Sequence, residues 1–239
     1  MPRQSRAPII LLTRPLAQSQ RFAGTLAQVT RLPVVISPLM ETRFLPVTLP
    51  DGKFSALVLT SESGALAAGR MRNDLPCRAW CVGDRTAQVA AKLGFAATSA
   101  GGDAAALIAL IRREQETGPL LHLRGVEARG DIAETLTKGG IETQSLVVYD
   151  QRETPPLPEG QALIRGHQPL IVPLFSPRSA RIFAKIAGPR PGLWLAALSL
   201  AVGRELTALD PLGLEIADTP DSDGMLLAVQ RLIAAACSS

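Results

Sequence analysis

Short apolar runs alternate with amphipathic helical stretches along the whole of this 239-residue chain. No other feature limits its fold so strongly. The runs Ile9–Leu12, Val34–Ile36, Ala56–Leu59, Ala79–Val82, Leu120–Leu123, Ser145–Val148, Leu170–Pro173, Leu193–Ala197 and Leu214–Ala217 read as strands. Patterns with helical spacing, such as 17–27, 63–71, 103–113, 131–138 and 224–235, separate them. Strands spaced by helices of that length form βαβ units and mostly parallel sheets. The expected fold class is therefore α/β.

The chain also repeats itself in two kinds of unit. A short one, strand–Arg–helix–strand, runs from Leu11-Leu12-Thr13-Arg14-Pro15 to Ile36 and again from Leu121-His122-Leu123-Arg124-Gly125 to Tyr149. A long one leads from Leu59-Thr60-Ser61 through Val82-Gly83-Asp84-Arg85-Thr86 to the helix opened by Asp103. Its second copy leads from Phe175-Ser176-Pro177 through Leu198-Ser199-Leu200-Ala201 to the helix opened by Asp223. The order is short, long, short, long.

Two divisions into domains fit that order. A cut near residue 115 would pair each short unit with the long one after it. Connection lengths favour the other division. Loops within α/β units are typically about 2–6 residues long, and Glu114–Gly118 falls in that range. Ser37–Gly52 and Asp150–Gln168 are much longer and rich in proline, where linkers belong. The expected architecture is two similar flavodoxin-like parallel-sheet domains of five strands each. Residues 53–149 form one continuously, and residues 1–37 with 160–239 form the other, which holds both termini. Residues 38–52 and 150–159 are the linkers, running side by side, with a cleft between the domains.

Scarce residues exclude several chemistries. There are two His, one Tyr and three Cys, so a zinc enzyme, a haem protein or a Ser-His-Asp hydrolase would rest on His122 or His167 alone. No GxGxxG, GxSxG or HExxH occurs, and neither a cofactor nor a metal is expected. The net charge is +4, but Lys and Arg never run beyond two together and aromatics are few. Nucleic acid is therefore not an expected partner, and a small acidic ligand suits the charge better. Three unpaired Cys fit a reducing compartment. The first ten residues do not read as a signal peptide, and the longest uncharged stretch, 191–203, is too short to span a bilayer. A soluble, cytoplasmic protein without membrane contact is expected, and nothing demands an interface, so a monomer.

In open α/β sheets ligands bind outside the carboxyl ends of the strands. The repeats bring Arg14, Ser37, Ser61, Thr86, Arg124, Tyr149, Ser176 and Ser199 to such positions. A serine between a strand and a helix is a preferred N-cap in its own right, and exposed N–H groups of a helix start also bind anions. One such serine indicates only a cap; six convergent positions indicate a site. Arg14 and Arg124 offer rigid forks for carboxylate or phosphate. Tyr149, by position alone, is a β-forming residue half-packed on its sheet. Its phenol, protonated at neutral pH, could also donate to a leaving group. His122 reads as a core histidine.

With these segments assembled, the chain resembles the uroporphyrinogen-III synthase family over nearly its whole length. Leu12-Thr13-Arg14-Pro15, Val35-Ile36-Ser37-Pro38-Leu39, Leu59-Thr60-Ser61, Val82-Gly83-Asp84-Arg85-Thr86, Leu123-Arg124-Gly125, Val148-Tyr149 and Phe175-Ser176-Pro177-Arg178-Ser179-Ala180 carry the likeness in order. The resemblance implies two α/β domains on a two-stranded connector. It also implies a cofactor-free cyclisation of hydroxymethylbilane, an octacarboxylate, to uroporphyrinogen III. Ring D would invert through a spiro intermediate with loss of water. Hydroxymethylbilane synthase would be a candidate for handing over the substrate. Tyr149 would assist departure of the hydroxyl, and Arg14, Ser37, Ser61, Thr86, Arg124, Gly125, Ser176, Ser179 and Ser199 would bind substrate. One departure stands out: where many members carry a Gly-Pro-Thr-like stretch, this chain has Leu198-Ser199-Leu200-Ala201-Val202. A non-catalytic two-domain binding or sensor protein for an acidic metabolite is the competing reading.

Overall fold

The computed structural model describes residues 7–127 and 130–238. The first half of the chain carries β1 (Ile9–Leu12), α1 (Leu16–Leu26), β2 (Val34–Ile36), β3 (Met40–Phe44), β4 (Ala56–Leu59), α2 (Glu62–Arg70), β5 (Arg78–Cys81), α3 (Asp84–Lys92), β6 (Ala96–Ser99) and α4 (Ala104–Arg113). The second half carries β7 (Leu120–Gly125), α5 (Ile132–Lys138), β8 (Thr143–Glu153), α6 (Pro158–Arg165), β9 (Leu170–Leu174), α7 (Pro177–Ala187), β10 (Leu193–Ala197), α8 (Leu200–Arg204), β11 (Gly213–Ile216) and α9 (Ser222–Ser238). The chain divides into two units, residues 1–41 with 152–239 and residues 42–151.

The discontinuous unit holds a parallel sheet in the order β11-β10-β9-β1-β2. Numbered along its own chain, this is the flavodoxin order 2-1-3-4-5. Its central strands β1, β9 and β10 are buried on both faces, so they read as unbroken apolar runs. Phe22 and Leu26 of α1 meet Met225, Val229 and Leu232 of α9 on one face. Ile164 of α6, Phe183 of α7 and Val202 of α8 lie on the other. Pairing between β1 and β9 ends at Ile171. Pro173, which has no N–H to give a neighbouring strand, lies beyond that point.

The continuous unit has the order β3-β8-β7-β4-β5-β6. From β8 to β6 the strands are parallel, and their spatial sequence is that of β2 to β11 in the other unit. The chain enters it at a different strand, as a circular permutation would require. Alanines of α2 and α3 pack on one face of this sheet. Leu107, Leu110 and Ile111 of α4 with Ile132 and Leu136 of α5 cover the other. The chain enters this unit within β3 and leaves it within β8. These two run antiparallel: Leu45 N–H donates to Val148 O and Thr154 N–H to Leu39 O, so one index falls as the other rises.

Three elements were not foreseen. β3 (METRF) and β6 (AATS) lie at sheet edges and alternate more and less exposed residues, so neither has an apolar run. Helix α6 occupies part of the proline-rich join 150–168, with Pro158 at its first turn. A proline there forfeits no helical hydrogen bond and its fixed φ suits the helix.

Candidate active site

In each unit one pair of adjacent central strands sends its helices to opposite faces, and the crevice this leaves is where open α/β sheets bind ligands. In the continuous unit the pair is β4, followed by α2, and β7, followed by α5. Ser61, just past β4, is the N-cap of α2, and its Oγ accepts the Gly64 N–H at 3.0 Å. A Cβ on Gly64 would stand 3.0 Å from the Leu123 carbonyl oxygen. The missing side chain lets α2 settle close against the backbone of β7.

Tyr149 arrives from the next strand. A β-bulge between Arg124 and Gly125 shifts the register, pairing Gly125 with Tyr149. A Cβ at Gly125 would lie 2.7 Å from two carbons of the Tyr149 ring and 3.0 Å from its oxygen. The phenol therefore occupies the space that glycine leaves. Only 9% exposed, it sets its oxygen 2.9 Å from Ser61 Oγ. Thr60, Ser61, His122, Arg124, Gly125 and Tyr149 face a cavity of about 350 Å³. Arg124 is anchored through Nη1 to the carbonyls of Gly125 (3.1 Å) and Val126 (3.4 Å). No side-chain carboxylate pairs with it among the described residues.

The other expected residues occupy varied settings. Thr86 is buried in the first turn of α3. Ser37 is fully buried, and its Oγ accepts the Leu157 N–H at 2.8 Å. Ser176 caps α7 in a reciprocal capping box with the buried Ser179. Their hydroxyls meet each other at 3.0 Å, each accepts the other's backbone N–H, and Ser179 also donates to Ser176 O. Arg14 lays its guanidinium 4.0 Å over the Phe175 ring. Ser199 precedes α8 but makes no cap bond, and Leu200 beside it is 69% exposed. Thus Ser61, Arg124, Gly125 and Tyr149 are gathered at one cavity. Arg14, Ser37, Ser176, Ser179 and Ser199 belong to the other unit.

Of the polar residues at the cavity, Thr60, His122 and Glu127 were absent from that expectation. His122 is 2% exposed, with Nε2 3.4 Å from Thr60 Oγ1 and Nδ1 without a partner. Burial, aided by the neighbouring Arg124 charge, depresses its pKa to about 4 against the pull of Asp131, so the ring is neutral at pH 7. The available signal was the period of two along β7, which puts His122 and Arg124 on the same face. Among the described residues, no three His, Cys, Asp or Glu side chains group as a metal centre would need. No helix there is long and apolar enough to cross a membrane.

Residues 20–226 match the model of a family described as uroporphyrinogen-III synthase HemD. The chain belongs to the uroporphyrinogen-III synthase family. No curated protein matches it in sequence. In three dimensions it is similar to the uroporphyrinogen-III synthetase of Helicobacter pylori, with TM-score 0.69 and 18% identity over 95% of this chain and all of that one. A mutant uroporphyrinogen III synthase of Thermus thermophilus aligns more loosely, with TM-score 0.49 and 16% identity over 96% of this chain and all of that one. The fold is that of the H. pylori protein, and family membership makes the chain one of a group of cyclising enzymes whose substrate is a small tetrapyrrole.

Proposed function

We infer that this chain closes hydroxymethylbilane to uroporphyrinogen III, acting as a carbon–oxygen lyase, and that Tyr149 is its acid. The observation that carries the assignment of Tyr149 is the Ser61–Tyr149 hydrogen bond in a cavity shared with Arg124. Ser61 Oγ already accepts the Gly64 N–H, so its own proton is available to the phenol oxygen. The phenolic proton is then left for the cavity. There it passes to the terminal hydroxyl of the substrate. The C–O bond breaks, its electron pair departs with water, and the pyrrole nitrogen lone pair replaces it, giving an azafulvenium cation. Attack on that cation by the substituted carbon of ring D forms the spiro intermediate. The bond from the spiro carbon to the carbon bridging rings C and D then breaks. That bridging carbon bonds the free α-carbon of ring D, which inverts the ring, and the proton lost there restores the pyrrole and returns the phenolate to the phenol.

The cation is reactive enough to close without help to the unrearranged isomer, so most of the catalytic task is holding the bilane in one geometry. Arg124, which hydrogen-bonds no side-chain carboxylate among the described residues, suits one of the eight acid groups, and a guanidinium can grip it through two parallel bonds. Ser199, whose hydroxyl caps nothing, is the donor we assign to the edge of the other unit. Cytoplasmic location, a monomeric state and hand-over from hydroxymethylbilane synthase complete the reading.

The test gives freshly generated hydroxymethylbilane to the folded protein and separates the products by chromatography. The type III isomer is expected. Type I alone, with protein in excess, would instead leave a non-catalytic binding protein. Tyr149→Phe should slow turnover roughly tenfold without abolishing it, since general acids supply only part of such an acceleration. Unchanged turnover would remove Tyr149 from the acid role.

A further inference from the structure

Arg124 stands between two cavities. One is the Tyr149 cavity; the second, of about 420 Å³, is lined by His122, Arg124, Val126, Gly130, Asp131 and Ser145 among others. Two features of their shared wall are unfinished. The Arg124 guanidinium spends Nη1 on two backbone carbonyls, and its other N–H groups meet no acceptor among the described residues. His122, although 2% exposed, leaves Nδ1 unpartnered. Buried polar atoms nearly always have a partner, and an exception calls for a specific reason such as a ligand. The Thr60 hydroxyl can donate to Nε2, and in that tautomer Nδ1 carries the ring proton. A donor without an acceptor then lies on the same wall as a guanidinium that hydrogen-bonds no side-chain carboxylate among the described residues, Asp131 acting on both only through its charge.

We propose that the second cavity is a carboxylate subsite, in which an acid side arm of the substrate accepts hydrogen bonds from Arg124 and from His122 Nδ1. This rests on the functional reading above for the identity of the ligand, but not for its chemical class. Asp131 adjoins the subsite, and its Oδ1 accepts the Glu134 N–H as the cap of α5. Its negative charge, felt by both Arg124 and His122, opposes an incoming anion, so the subsite takes no more than one carboxylate, the one that the Arg124 charge can pair. Exposed Ser145 supplies a further hydroxyl on the wall. His122 is thus a positioning residue, outside the bond-breaking step.

The test compares His122→Leu, which keeps the volume and removes the donor, with His122→Asn, which can restore one near Nδ1. Leu should raise KM for hydroxymethylbilane about tenfold, the cost of losing a bond to a charged group, and leave kcat within about twofold. Asn should recover most of that loss. Thermal stability of the Leu variant should change little, because removal of the unsatisfied Nδ1 offsets loss of the long Thr60 contact. An unchanged KM would overturn the proposal. The second arm needs no turnover: ¹⁵N NMR of the His122 ring during titration with propane-1,2,3-tricarboxylate. A saturable shift of Nδ1, absent in Arg124→Gln, is expected, and an unmoved resonance would overturn the subsite. This arm alone decides if the wild-type protein proves not to be a synthase.

Discussion

The two units present the same strand edge built for different work. Superimposing their sheet orders matches Arg124 with Arg14, Ser61 with Ser176, and Tyr149 with Ser37. In the discontinuous unit each of these groups is engaged internally. Ser176 is locked with Ser179, Ser37 holds the Leu157 N–H, and Arg14 lies on Phe175. In the continuous unit the equivalent serine gives only its oxygen to the helix and meets a phenol with the rest. The equivalent arginine keeps N–H groups to spare. The two units share one frame, and in one of them a few side chains keep donors to spare.

The sharpest way to break this contrast is at Gly125, whose absent Cβ admits the Tyr149 ring. Gly125→Ala puts a methyl 2.7 Å from ring carbons that lie against the buried α2 face, so the ring must move. A displacement near 1 Å can cost about a hundredfold in rate, and overpacking of this kind about 1–3 kcal/mol in stability. Steady-state assay and chemical denaturation would measure both. Full activity would mean that the phenol oxygen need not sit where Ser61 holds it.

How much of this was legible beforehand depended on what each element buries. Strands covered on both faces declared themselves as apolar runs, and the short–long repeat already contained the permuted sheet order. Edge strands β3 and β6 did not, because half of their side chains face outward. At the site, the convergence of Ser61, Arg124 and Tyr149 could be read from strand ends. Their hydrogen bonds could not, since these depend on a bulge after Arg124 that no spacing announces. Ser37 and Thr86 stand at the expected strand ends and helix start, yet both are buried. Sequence position gives the edge of a sheet, and only packing says which way a hydroxyl is spent.

A matched pair of substitutions sharpens the contrast further. Ser61→Ala and Ser176→Ala each remove an N-cap, so each should cost about 1 kcal/mol of stability. Their effects on turnover should diverge. Losing Ser61 also frees the phenol from its only hydrogen-bonded neighbour among the described residues, and turnover should fall severalfold, by about the value of one neutral hydrogen bond. Losing Ser176 should leave turnover close to wild type, because its hydroxyl is taken up inside the capping box. Equal losses of rate would show that the two edges contribute alike.

The opposite edges of the sheets differ as well, with the smallest expected effect at neutral pH. In the continuous unit the starts of β4, β5 and β7 are tied by one carboxylate. Glu116 accepts from Ser55 Oγ, Arg78 Nη1 and Trp80 Nε1, each at 3.1 Å. In the discontinuous unit the tie is a cation: Arg190 donates to the carbonyls of Leu163 (2.8 Å), Gln168 (2.5 Å) and Pro191 (3.3 Å). Burial alone would raise the Glu116 pKa, but the bonds from Arg78, Ser55 and Trp80 outweigh it and hold the group below its ordinary value. A carboxyl depressed by folding contributes stability that is full above its unfolded pKa and is lost as pH falls through the folded one. Arg190 stays charged throughout that window. Among the described residues, the helix-capping carboxylates held low are Asp131 in one unit and Asp221 in the other, and so do not separate the two. Acid should therefore loosen β5 before β10, measured as hydrogen-exchange protection at stepped pH. Glu116→Gln should weaken the continuous unit by about 1–3 kcal/mol at neutral pH and blunt its acid step. If both strands lose protection together in the wild-type protein and in the Gln variant, Glu116 is not what sets the acid limit of its unit.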